Sequence, residues 1–241
     1  MITKIISSNS RGGASHDWLQ TQHSFSFANY YDPDRVHFGA LRVLNDDIIA
    51  PGKGFDMHPH HNMEIITYPL SGTLQHTDSM GNSGVLKHGE VQVMTAGKGI
   101  YHSEFNFSES EPLSLLQIWI FTNRDGHTPL YGQKDFSESF TKNELTLIVS
   151  PDGESDSLKI NQEARIWRGK MTSKQNLSCH VKGKNHGIYL FVVEGSVSIN
   201  NQSLSSRDAM EITETSVFDI HVTEDTEFLL IEVPMSDWSK T

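Results

Sequence analysis

The stretch Gly52-Lys53-Gly54-Phe55-Asp56-Met57-His58-Pro59-His60-His61-Asn62-Met63-Glu64 carries two histidines two residues apart. It is answered downstream by Gly97-Lys98-Gly99-Ile100-Tyr101-His102-Ser103-Glu104-Phe105-Asn106, which sets an imidazole and a carboxylate at the same spacing. On an extended strand, residues two apart point to one side. His58 and His60 therefore aim two rings into one space, and His102 and Glu104 aim a ring and a carboxylate from a second strand. Two such pairs facing each other inside a small barrel make a four-ligand metal site. Three neutral nitrogens and one anionic oxygen suit a first-row divalent ion, and a ligand set without thiolate argues against structural zinc.

Around these segments the first half of the chain reads as β. Glu64-Ile65-Ile66-Thr67-Tyr68-Pro69-Leu70 is a β run ended by the turn signal Ser71-Gly72, residues 73–77 alternate, and Asp78-Ser79-Met80-Gly81-Asn82-Ser83-Gly84 is a polar hairpin tip. No stretch before residue 135 carries a period of 3.6. Upstream, alternating Phe25 and Phe27 suggest a strand edge whose aromatics, with Tyr30, serve core or arm packing. Residues 124–140 read as a looser connection, and residues 151–157 mark a change of composition.

The second half repeats this grammar. Tyr68-Pro69-Leu70-Ser71-Gly72-Thr73 is echoed by Phe191-Val192-Val193-Glu194-Gly195-Ser196, 123 residues later. The economical reading is an all-β chain of two tandem jelly-roll barrels with few short helices. The first barrel and an N-terminal arm take residues 1–135, and a second, degenerate barrel takes residues 136–241. Matching Gly195 to Gly72 puts residues 181–183 near the paired-histidine position. Matching Glu211 to Gln92 instead sets His221 opposite His102 and Thr223 opposite Glu104, so at most one ligand survives in the second barrel.

The 241 residues hold 19 basic and 30 acidic side chains, a formal charge of −11 with histidines neutral. That balance disfavours a phosphate backbone as partner, since such binding needs clustered Lys and Arg. Cys179 is the single cysteine, so no intrachain disulfide forms and a reducing compartment is expected. The first residues lack the apolar core of a signal peptide. The longest apolar run, residues 113–121, is interrupted by Ser114 and Gln117 and is too short to span a bilayer. A soluble, cytoplasmic protein is expected.

Gly52, His58, His60 and Glu64 fill the pattern Gly-x5-His-x-His-x3-Glu, which resembles the first motif of the cupin superfamily; Gly99, His102 and Asn106 resemble the second, without its usual Pro. His-Pro-His-x-x-x-Glu, Thr95-Ala96-Gly97-Lys98-Gly99-Ile100-x-His102-Ser103-Glu104 and the arm Ser24-Phe25-Ser26-Phe27-Ala28-Asn29-Tyr30-Tyr31-Asp32-Pro33 are similar to the pirin family of bicupins, over roughly residues 10–122. The resemblance implies one divalent metal per chain, in the N-terminal barrel only, held by His58, His60, His102 and Glu104. Fe(II) is the first expectation, with Ni, Cu, Mn, Co or Zn as other ions of this fold. Cupins more generally take the carboxylate from the first motif, here Glu64; family pattern and strand parity both favour Glu104.

The resemblance also implies quercetinase activity: opening of a flavonol heterocycle by O2 with release of CO, and Glu104 as the catalytic proton acceptor. A second reading, of another class, is a metal- or redox-sensing binding protein acting on a protein partner. A third, a cupin isomerase or epimerase, lacks a cluster of Arg and Lys for an anionic substrate. His16, His23, His37, His76, His88, His127, His180 and His186 have no partner at ligand spacing and read as surface or structural residues, and His61 points away from His60.

Overall fold

The computed structural model describes residues 1–140, 143–172, 175–236 and 238. Among the described residues, twenty-two strands account for the regular structure and the helical content is two single 3-10 turns, Ser8–Ser10 and Glu154–Asp156. No helix among the described residues is long and apolar enough to cross a membrane.

The strands form two large and two small sheets. The first large sheet runs, edge to edge, through Leu130–Asp135, Glu90–Thr95, Met63–Ser71, Leu113–Phe121, Leu41–Ile49, Leu19–His23 and Gly12–Ser15. Facing it is a four-stranded sheet of Gly54–His60, Ile100–Asn106, Thr73–Asp78 and Ser83–Lys87. The second half builds the same pair again, with Gln175–His180, Val217–Val222, Ser196–Ile199 and Gln202–Ser205 as its small sheet. Two cupin barrels in tandem result. Gly72 and Gly195 stand at matching turns with φ of +82° and +84°, a conformation that costs a residue with Cβ appreciably more than glycine.

The two large sheets pack against each other. Between them lies the largest apolar cluster, including Leu44, Tyr68, Ile118, Ile166, Tyr189, Phe191 and Leu229. A sheet covered on both faces needs apolar side chains at successive positions rather than at alternate ones. That is why Leu113–Phe121, His186–Glu194 and Thr226–Pro234 read as near-continuous apolar runs while the small-sheet strand Val217–Val222 alternates strictly. Each barrel keeps its own interior besides: Leu74, Leu86, Leu113 and Leu115 in the first, Cys179, Leu190, Phe218 and Ile220 among others in the second.

Two segments depart from the sequence reading. The supposed loose connection of residues 124–140 contains the strand Leu130–Asp135, which pairs antiparallel with Glu90–Thr95. The N-terminal strand Ile2–Ile6 pairs with Ala209–Thr213, so the chain begins in the second barrel's large sheet before it enters the first. Both are polar or short strands at sheet edges, where little burial pattern is imposed on the sequence. A buried hydrogen bond crosses between the barrels as well, from Tyr68 of the first to an ion pair within the second. Arg168 Nε and Nη2 donate to the two carboxylate oxygens of Glu227 at 3.0 and 2.9 Å, and the Tyr68 hydroxyl donates to the same carboxylate at 2.8 Å.

Candidate metal centre

Gly54–His60 and Ile100–Asn106 are neighbours in the first small sheet, with His102 directly opposite His58 and Ile100 opposite His60. Pleating turns His58, His60 and His102 to the barrel interior together. Ring centroids lie 4.4 Å apart for His58 and His102, 4.8 Å for His58 and His60, and 4.9 Å for His60 and His102. One nitrogen from each ring lies within 4.8 Å of the other two, which is the spacing of three ligands around one ion. Opposite the step from His102 to Glu104 the register shifts, because His102 pairs with His58 and Glu104 with Phe55, so the bulge lies in the Gly54–His60 strand. Gly54 permits the close approach of the two strands: a Cβ there would sit 2.1 Å from the Glu104 carbonyl oxygen. Gly97, at φ +48°, starts the turn into the strand where a Cβ would meet the His127 carbonyl at 2.0 Å.

The hydrogen bonding of the trio fits a metal. His58 Nδ1 donates to the Asp56 carbonyl at 2.7 Å, which fixes the tautomer and leaves Nε2 as a lone-pair donor. His60 Nε2 and both ring nitrogens of His102 are buried with no hydrogen-bond partner. Such orphaned groups are costly in a folded protein unless something binds them. Burial, reinforced by the neighbouring rings, lowers the His60 pKa to about 4 and that of His102 to about 2, so both are neutral and able to ligate at neutral pH.

Glu104 is buried behind His102. Thr67 Oγ1 donates to its Oε1 at 3.0 Å and Gln117 Nε2 to its Oε2 at 2.8 Å. Burial first, and then the nearby Asp47, raises its pKa to about 7; a bound dication would act in the opposite direction. Glu104 and His102 also meet a residue that local spacing dismissed. His76 is fully buried, lies across the strand pairing from Glu104, and brings a ring nitrogen within 4.8 Å of ligand atoms on both. It stacks on Tyr131 at 5.0 Å, with Nε2 3.5 Å from the Asp78 carboxylate. Reading it as an unpartnered structural histidine was wrong because its partners arrive across a hairpin and a neighbouring strand.

Glu64 goes elsewhere. It is buried on the opposite face of its strand, accepting from Thr95 Oγ1 at 2.7 Å and from Asn161 Nδ2, a residue of the second half, at 3.3 Å. Neighbouring Ile65 faces the histidines instead. His61 is exposed, as its parity required.

Above the trio opens a cavity of about 170 Å³. Phe27, Phe55, Ile65 and Trp119 give it apolar walls, and Asn45, Asp47 and Gln117 line its polar part. Phe27, expected only to pack the arm, is therefore part of the site, and it meets Trp119 edge to face at 5.4 Å. Asn45 Oδ1, Asp47 Oδ1 and Trp119 Nε1 are buried without a partner. Burial also raises the Asp47 pKa to about 7. Asn45, Asp47 and Trp119 all lie outside the histidine motifs; Asn45 and Asp47 stand two apart in the strand Leu41–Ile49, within a polar run that gives no sign of an inward face.

The second barrel has lost this chemistry. The positions of its small sheet that face inward hold Leu177 opposite Ile220 and Cys179 opposite Phe218, where the first barrel has His58 opposite His102 and His60 opposite Ile100. His221, read as the counterpart of His102, is exposed and bonds Asn176 Oδ1 through Nδ1 at 2.7 Å. Residues 181–183, read as lying near the paired-histidine position, follow that strand rather than belonging to it.

Comparison with known proteins agrees with this geometry. The family model described as Pirin matches residues 5–120, and that of a quercetinase C-terminal cupin domain matches residues 147–233. A protein of Escherichia coli (strain K12) named quercetin 2,3-dioxygenase is 45% identical over 226 residues, covering 94% of this chain and 96% of that one. A pirin-like protein of Caulobacter vibrioides is 40% identical over 222 residues, 92% of this chain and 95% of that one. The crystal structure of the bacterial pirin YhhW from Escherichia coli in complex with nickel(II) superposes with a TM-score of 0.92 at 41% identity, over 98% of this chain and 100% of that one. On this evidence of sequence and fold together, the chain belongs to the pirin family of bicupins.

Proposed function

We propose that this protein is a metal-dependent dioxygenase of the quercetinase type, which opens a flavonol ring with O2. The observation that carries the reading is the set of buried, unpartnered imidazole nitrogens on the floor of a cavity with aromatic walls. His58, His60 and His102 would hold one divalent ion there with Glu104 as the fourth ligand, leaving coordination positions open towards the cavity. That ion, once bound, supplies Lewis acidity towards the substrate hydroxyl and a site for O2. Fe(II) and Ni(II) both suit the donor set; the nickel complex of a 41%-identical relative supports the second ion.

The protein's own groups have separable tasks. Trp119, Phe27 and Phe55 offer flat apolar surface to a polycyclic aromatic substrate. Asn45 and Asp47 present unpartnered oxygens that accept from substrate hydroxyl groups. Glu104, aligned by Thr67 and Gln117, accepts the proton of the flavonol hydroxyl. Burial of the site keeps water from the reacting carbon. In the balanced reaction both oxygen atoms of O2 enter the organic product and one ring carbon leaves as CO. The test is aerobic incubation of Fe(II)- or Ni(II)-loaded protein with quercetin, following oxygen uptake and CO release. Equal turnover by a His102→Ala variant would end the proposal.

A specific surface feature favours the second reading, of a metal-sensing binding protein. The outward faces of the ligand strands show Met57 and Tyr101, about half exposed, with Met80 beside them on the adjoining turn. An apolar patch backing directly onto the metal strands suits a protein partner. Partner capture that differs between ferrous and ferric protein, with no flavonol turnover by either, would select this reading.

A further inference from the structure

The second barrel keeps a cavity where the first has its metal pocket, and the correspondence can be followed through the strand ladders. In the first large sheet Thr67 pairs with Gln117, and Gln117 with Asn45. In the second, Leu190 pairs with Leu230, and Leu230 with Trp167. The repeat distance that matches Gly72 to Gly195 takes Ile65 to Ile188 and Thr67 to Leu190. Leu230 thus stands for Gln117 and Trp167 for Asn45. The three polar positions just matched are apolar in the second barrel, yet the space has not collapsed: about 130 Å³ remains, against about 170 Å³ in the first barrel.

Trp167, Cys179, Ile188, Phe218 and Leu230 wall the inside of this space, with Ser178 as a polar lining residue. Burial, with the nearby Asp219, pushes the Cys179 thiol up to about 12, so that wall is uncharged at physiological pH. The rim differs in kind. His180 and Lys182 border the opening, and their loop is pinned from beneath. The buried Glu232 carboxylate accepts from the peptide N–H groups of Lys182 and Gly183 at 3.0 and 2.6 Å and from His186 Nδ1 at 2.9 Å. A loop with a pinned backbone thereby carries a cationic residue at the mouth of a largely apolar slot, in a chain whose overall charge is −11.

We infer that the C-terminal barrel is a binding site for a small aromatic carboxylate, its ring against Trp167 in the slot and its carboxylate at Lys182. The inner walls favour an apolar ring over a polyol, and the polar groups stand at the rim. The site stands apart from the reaction proposed for the first barrel and does not depend on it.

The probe is benzoate, titrated into full-length, 15N-labelled protein loaded with diamagnetic Zn(II). The Trp167 and Trp119 indole N–H signals report on the two barrels separately. The expected result is a saturable shift of the Trp167 signal with a Kd on the order of 1 mM or tighter. Lys182→Ala, an exposed change that leaves the core intact, weakens benzoate roughly 5-fold, the size of one exposed ion pair, and leaves the neutral analogue benzyl alcohol unaffected. A Trp167 signal that stays in place while Trp119 moves, or benzoate binding indifferent to Lys182→Ala, overturns the assignment.

Discussion

His58 and His102 are direct cross-strand partners, with ring centroids 4.4 Å apart and a free Nε2 on each. The unpartnered buried nitrogens of His60 and His102 beside His58 carry a desolvation cost that a bound ion removes, so metal should stabilise the fold. At a free ion concentration about 100 times Kd the gain is about 2.7 kcal/mol. Thermal unfolding with added Ni(II), then with chelator, should show a rise and its reversal. The rise should vanish in His58→Ala and in His102→Ala, together with the metal content measured by elemental analysis. A rise that survives both substitutions would place the ion elsewhere.

Glu104 and Glu64 make opposite predictions. Glu104 shares the interior with His102 and is oriented by Gln117 and Thr67. Glu64 is spent on Thr95 and Asn161 at the junction of the halves. Glu104→Gln should lower metal occupancy and flavonol turnover, whereas Glu64→Gln should leave occupancy intact. Gln117→Leu, which removes a donor behind the ligand, should cost roughly 10- to 100-fold in metal affinity or activity. Loss of metal in Glu64→Gln with retention in Glu104→Gln would reverse the assignment.

The ligand strands were legible because their chemistry is local. Alternation within Gly54–His60 and Ile100–Asn106 is set by the pleat, and parity alone brings four side chains inward. The duplicated barrels were legible for a related reason: turn glycines and β runs recur at one spacing. His76, Asn45 and Asp47 were not, since each reaches the site through pairing with a strand distant in sequence. The second barrel shows how sharply parity cuts. The ladders pair Thr67 with Gln92 and Leu190 with Met210, so Met210, not Glu211, is the counterpart of Gln92. That slip of one residue turned His221 inward on paper and Ile220 outward, the reverse of the structure.

Glu64 gives a pH signature. Burial raises its pKa from 4.5 to about 7. A carboxyl raised in the folded state holds its proton between those two values while the unfolded chain gives its own up, so folding stability falls as pH rises from about 4.5 to about 7 and is level above. The shift corresponds to on the order of 3 kcal/mol. Glu64→Gln keeps a carbonyl to accept from Thr95 and has no proton to lose. Its urea midpoint relative to the parent should therefore increase between pH 5 and pH 8, measured on metal-free protein. A difference that is constant across this range would show that Glu64 is ionised in the fold.

The Arg168–Glu227 pair bridges two neighbouring strands of the second barrel and receives Tyr68 from the first, so it tests whether charge or packing stabilises this junction. Both side chains are buried, the guanidinium also lies 3.9 Å over the Phe140 ring, and Tyr68 of the first barrel donates to the same carboxylate. Glu227→Ala strands a guanidinium without its anion and should cost about 3–5 kcal/mol, while replacing both partners by apolar residues of similar size should be near neutral. Arg168→Met combined with Glu227→Leu, followed by urea unfolding, is the informative comparison with Glu227→Ala. Recovery of most of the stability in the double variant means that apolar packing can replace the ion pair and its bond from Tyr68. A double variant as unstable as Glu227→Ala would mean that the pair, with Tyr68, is itself required at this junction.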